Sequence, residues 1–134
     1  MTSIVPAKRK MRAQELLDEL RLTSQEIARG LVRLGEILRE VQDDELYVAL
    51  GYDSFRAFFK AEVKVDPSLA RRYIAASNTF GDVIDKTKQL PPITRITEMA
   101  GPLRDAPRKE RIAALEDAAK LPGVEFRRKY TTRE

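Results

Sequence analysis

From residue 8 to residue 120, apolar side chains recur three and four positions apart, and almost nowhere in strict alternation. That is the period of the α-helix, whose faces repeat every 3.6 residues, whereas a strand repeats every second residue. The chain is therefore expected to be all-α, a compact helical domain with six to eight helices and no sheet. Composition agrees: 43% of residues are hydrophobic, only 7% are aromatic and tryptophan is absent, which suits packed helices better than a β-sandwich.

A first helix is expected over residues 8–21, with Leu16, Leu17 and Leu20 as its apolar stripe. Thr23-Ser24-Gln25-Glu26 then has the spacing of a capping box, in which a hydroxyl and a carboxylate satisfy the free amides of a new first turn. It predicts a second helix to about Val41. Along it Ile27, Leu31, Leu34, Leu38 and Val41 alternate spacings of four and three, a seam two heptads long. Such a stripe serves either as the core face of a bundle helix or as a dimer interface. Asp43-Asp44-Glu45 should open a short helix that stops at Gly51, its carboxylates favoured by the helix dipole.

Asp53 or Ser54 can cap a helix with Phe55, Phe58, Phe59 and Val63 inward. Arg56, Lys60 and Lys64 follow four apart on its other side and form a basic rib, with Glu62 near the apolar edge awaiting a cation or a backbone donor. Asp66 caps the next helix and Pro67 suits its first position. There Leu69, Tyr73, Ala76 and Phe80 share one side, flanked by Ala70 and Ile74, while Ser68, Arg71, Arg72, Ala75, Asn78 and Thr79 lie opposite. No acid occurs between Asp66 and Asp82, so this outer face carries guanidiniums, an amide and hydroxyls with nothing to neutralise them. Arginine reads guanine and asparagine reads adenine through paired hydrogen bonds, which makes Ser68, Arg71, Arg72 and Asn78 candidates for reading bases. Arg56, Lys60, Lys64 and Thr79 are candidates for phosphate contact.

Further on, residues 81–91 suggest one short helix before Pro91, residues 93–100 another, and Pro107 begins a last one with Ile112, Ala113, Leu115 and Ala119 inward. Residues 123–134 read as a basic tail. This divides the chain into a basic segment and first helix (1–22), a helical domain (23–122) and the tail. The net charge is +4; residues 67–134 hold fourteen Lys and Arg against nine acids, so the positive excess sits at and beyond the Asp66-capped helix.

Residues 47–59, Tyr-Val-Ala-Leu-Gly-Tyr-Asp-Ser-Phe-Arg-Ala-Phe-Phe, precede Asp66-Pro67-Ser68-Leu69-Ala70-Arg71-Arg72-Tyr73-Ile74. Together they resemble a helix-turn-helix pattern of bacterial, phage and mobile-element DNA-binding proteins, with a Gly-Tyr-x-Ser-Phe stretch opening the first helix. Leu90-Pro91 and the helix after Pro107 are similar to a region that follows it, in part like the DNA-binding region of partition proteins. The turn Lys64-Val65-Asp66 lacks the glycine common there. The resemblance implies a helix-turn-helix at about 54–80 and a role as transcriptional regulator or segregation factor.

Histidine and cysteine are both absent, so Ser-His-Asp and Cys-His catalysis, thiolate metal sites and disulfides are excluded, and no phosphate-cradling glycine motif occurs. The expectation is a non-enzymatic, cytoplasmic, nucleoid-associated protein without cofactor or membrane segment. It would bind double-stranded DNA as a homodimer, with Ile27, Leu31, Leu34, Leu38 and Val41 as candidate interface. The competing expectation is a helical protein-interaction module, an adaptor or antagonist of a regulator with its own protein partner. RNA recognition is disfavoured by the lack of an aromatic-bearing sheet.

Overall fold

The computed structural model describes residues 6–130, and all regular structure among them is helical. Seven α-helices run in the order α1 (Ala7–Asp43), α2 (Leu46–Ala49), α3 (Phe55–Glu62), α4 (Pro67–Phe80), α5 (Ile93–Ala100), α6 (Arg108–Ala118) and α7 (Gly123–Tyr130), with a 3-10 turn at Ile84–Lys86. The all-α expectation holds.

α1 corrects the expected boundary at Thr23. It is a single helix of 37 residues, about 55 Å long at 1.5 Å per residue. No proline follows Pro6 until Pro67, and Arg21-Leu22 are good helix formers. A capping signature starts a helix only where the preceding chain leaves the helical path, and nothing forces that here. Thr23 and Ser24 therefore sit mid-helix at a cost of a few tenths of a kcal/mol each. Asp43 is the last residue of α1, so the dipole argument does not apply to it. Asp44 and Glu45 make the turn, with Glu45 in the left-handed region at φ 51°, and Gly51 ends the segment at φ 91° where a side chain would be strained.

Two apolar clusters form the core. The larger joins Ala28 and Val32 of α1, Ala76 and Phe80 of α4, Ile96 and Met99 of α5, Leu115 of α6 and Phe126 of α7. Each fully buried large side chain contributes roughly 1.5–3 kcal/mol. The smaller joins Leu38, Phe58, Phe59 and Ala70, with Leu34, Val41, Phe55 and Ile74 against them. α1 and α4 thread both clusters and cross between them at Gly35, where a Cβ would lie 2.1 Å from the Tyr73 carbonyl oxygen. Only a residue without a side chain permits that approach.

The seam Ile27, Leu31, Leu34, Leu38, Val41 is thus largely spent within the chain. Leu38 is 1% exposed, Leu34 and Val41 pack on the phenylalanine cluster and Leu31 is half-buried, while Ile27 alone stays open at 53%. The face of α1 that packs on the bundle is Ala28, Val32, Gly35 and Leu38, and residues 6–23 are all exposed. Residues 123–130, expected as tail, form α7. Phe126 is 2% exposed beneath the Arg95 guanidinium, 4.8 Å from its ring centre, and the Tyr130 hydroxyl donates to Asp117. Residues 131–134 lie outside the described part. In α6 the inward residues are Ala114, Leu115 and Ala118, with Ala113 exposed.

Candidate nucleic-acid interface

α3 begins where the Ser54 hydroxyl accepts from the Ala57 amide at 3.0 Å. Phe58 and Phe59 face the core, which sends Arg56 and Lys60, one turn apart, to solvent. The helix ends at Glu62 and Val63 is extended, so Lys64 is not on the same rib but in the four-residue connector. Glu62 accepts a hydrogen bond from the Tyr52 hydroxyl rather than meeting a cation or a backbone amide.

α4 starts at its foreseen cap: Asp66 Oδ1 accepts from the Ser68 amide at 2.8 Å and from the Ser68 hydroxyl. The Ser68 hydroxyl holds the Asp66 carboxyl below its usual range, and the Arg71 guanidinium adds a smaller pull in the same direction. Ser68, Arg71, Arg72, Ala75 and Asn78 are exposed, at successive spacings of three, one, three and three that set them on one side of the helix. Leu69, expected inward, is 38% exposed because no element covers the first turn on its side.

Thr79 is a correction. It is 2% exposed and its hydroxyl donates to the Ala100 carbonyl at 2.7 Å, so it cannot meet a phosphate. One residue beyond Asn78 is a rotation of 100°, which carries Thr79 against α5. The sequence alone did not say that α4 would be packed on two sides.

Asn78 also has a neighbour that sequence reasoning missed. Its Oδ1 accepts from Arg39 of α1, which leaves the amide NH2 as the free edge of that side chain. No local pattern marks Arg39, since the pairing exists only because α1 and α4 cross. Beside it runs a polar cleft of about 480 Å³ reaching Arg111 and Asp82. There Arg111 donates to both Asp82 oxygens at 2.5 and 3.1 Å and to the Thr79 carbonyl at 2.8 Å. Asp82 thus ties the turn after α4 to α6, and the Arg111 guanidinium depresses its carboxyl pKa.

The tertiary structure brings three expected nucleic-acid residues together. Arg56, Lys60 and Arg71 line one groove of about 450 Å³ with Phe55, Phe59 and Ile74. Arg56, Lys60, Arg71 and Arg72 make no ion pair with another described residue, in contrast to Arg108, Arg111 and Lys129. Apart from the weak attraction of Asp66 for Arg71, these cations are unpaired, and unpaired cations on one surface attract polyanions, each able to displace a counterion from a phosphate.

No described helix is long and apolar enough to cross a membrane. No protein-family model matches the chain, and no curated protein or solved structure is significantly similar to it.

Proposed function

We propose that this chain is a sequence-selective double-stranded-DNA-binding protein, working as a homodimeric transcriptional regulator of a bacterial, phage or mobile-element system, in the cytoplasm on the nucleoid. α3 and α4 act as the helix-turn-helix, with α4 entering the major groove. The carrying observation is the exposed face Ser68, Arg71, Arg72, Ala75 and Asn78, with Arg56 and Lys60 converging on Arg71. From Ser68 to Asn78 the face is about 15 Å long, the rise of roughly four base pairs. Ala75 in its middle lets the helix backbone come close to base edges. Arg71, Arg72 and Asn78 supply the donors that read purines, and Arg56, Lys60 and Lys64 fix the protein on the phosphates. A segregation factor would use the same face and differ in what its bound site adjoins.

The test is a mobility shift on genomic fragments over a range of salt, with wild type and the Arg71→Ala, Arg72→Ala double variant. Selective binding should disappear in the variant while its thermal melt stays within about 2 °C, because surface substitutions away from packing change stability little. Undiminished selectivity would refute the assignment.

A protein-interaction module is the second reading, and one observation favours it. Leu16, Leu17, Leu20 and Ile27 of α1 are 37–64% exposed, a row of apolar side chains that no other described residue covers. Absence of any salt-sensitive DNA binding, together with capture of a defined protein through that row, would put this reading first.

A further inference from the structure

One turn after Gly35, where the backbones of α1 and α4 meet, Arg39 reaches across and donates to Asn78 Oδ1 at 2.5 Å. Arg39 makes no ion pair with another described residue, although Glu36 stands one turn before it and Asp43 one turn after. Glu36 is held instead by Arg33, at 3.0 Å. Asn78 is exposed and Arg39 half-buried, so the contact lies at the edge of the α4 face. An asparagine amide has one acceptor atom and an NH2 with two donors. The guanidinium fixes which way that amide points, because the reversed amide would set donors against donors. With Oδ1 engaged, Asn78 offers an incoming base its NH2 alone. We infer that Arg39 makes Asn78 a reader of guanine rather than adenine, so that the α4 face from Arg71 to Asn78 selects G·C pairs.

In the major groove adenine shows the N7 acceptor beside the N6 amino donor, whereas guanine shows two acceptors, N7 and O6. Asparagine reads adenine with both ends of its amide, which requires a free Oδ1. Here an adenine N6 amino group seeking the second lone pair of Oδ1 meets a charged donor already on that atom. Guanine meets no such conflict, since its N7 and O6 accept from the Asn78 NH2. Arg71 and Arg72 likewise carry donors only, and arginine on guanine O6 and N7 is the commonest base-specific contact. From Arg71 to Asn78 the helix rises about 10 Å, roughly three base pairs. Every group that reads a base over this stretch is therefore a donor, and the matching half-site presents acceptors throughout. This rests on the DNA-binding proposal and names the class of sequence it takes. Arg39 acts through Asn78 and is a positioning residue outside the two helices that meet the DNA.

Two measurements on the full chain test this, the first without DNA. Asn78 is the single asparagine of the sequence, so its side-chain amide resonances are identified by their loss in Asn78→Ser. Arg39→Ala should move those resonances, with circular dichroism and the thermal melt as controls for folding. Unmoved resonances overturn the pairing. In the second measurement duplexes are selected from a randomised pool by wild type, Asn78→Ala and Arg39→Ala. Asn78→Ala marks the base pair that Asn78 reads by erasing the preference there. Wild type should prefer guanine over adenine at that position by about tenfold. Arg39→Ala should shift that one position towards adenine and leave the positions read by Arg71 and Arg72 as guanine. An adenine preference in wild type, or an unchanged preference in Arg39→Ala, overturns the inference while DNA binding stands. An even loss of affinity for all duplexes in Arg39→Ala assigns Arg39 to a phosphate and overturns it as well. If wild type selects no duplex at all, the DNA-binding proposal fails and the inference falls with it.

Discussion

At residue 35 the Tyr73 carbonyl occupies the place where any side chain would begin, so α1 and α4 cross there backbone to backbone. Gly35→Ala should destabilise the fold by about 3 kcal/mol, the upper part of the usual range for overpacking, because backbone on both sides leaves nothing flexible to yield. Chemical denaturation checks it, and a loss under about 1 kcal/mol would mean the crossing relaxes easily. Asp82 offers a test by pH. The Arg111 guanidinium lowers its carboxyl below the ordinary value of 3.8, so the stabilisation is fully present above that value and is lost as pH falls through the lower folded value. Asp82→Asn should therefore be less stable than wild type near neutrality, with the gap closing below about pH 3. Asp82 is half exposed, so solvent screening keeps the gap modest. An equal gap at about pH 7 and about pH 2 would show that charge is not the cause. Neither role was visible from the local sequence: Gly35 looks like any mid-helix glycine, and Arg111 is 29 residues from Asp82.

Among the elements, α4 was legible on its first turn and its free face, since Asp66, Pro67 and the cation spacing are local properties. Its second packed side was not, and that side takes Thr79 away from any phosphate and onto the Ala100 carbonyl. α3 shows the same division: Arg56 and Lys60 are one helical turn apart by sequence, but the end of the helix at Glu62 takes Lys64 off that line. On the DNA-binding proposal, Arg56→Ala and Lys60→Ala should each weaken binding to all duplexes alike and lower the slope of affinity against salt by about one. A change in the preferred sequence from either would assign α3 to base reading instead. α1 and α7 depart from their local sequence in opposite senses. The capping signature at Thr23 lies inside a helix that the backbone has no reason to leave, and the basic composition of residues 123–130 conceals Phe126, which closes the core under Arg95.

For the whole molecule, the DNA-binding proposal requires more than one copy of the exposed α4 face that runs from Ser68 to Asn78. One face of about four base pairs discriminates too little alone, whereas two related by a two-fold axis multiply their selectivity. Fragments selected from a genomic pool should therefore carry two inverted half-sites, bound by two chains per duplex. A single asymmetric site bound by one chain would remove both the symmetry and the need for pairing.

By itself the sequence determined the helical class, the caps at Ser54 and Asp66, the inward Phe58, Phe59, Tyr73 and Phe80, and the exposure of Ser68, Arg71, Arg72 and Asn78. These follow from spacing and from hydrogen bonds between residues two or three apart, so neighbours in the chain suffice to read them. The tertiary structure alone decided which of two adjacent apolar lines on α1 is buried, because that depends on where α4 crosses it. It also placed Arg39 beside Asn78, turned Thr79 inward and joined Arg111 to Asp82. Each of those contacts links residues 21 or more positions apart, and their partners are set by how the helices pack, which no local period encodes.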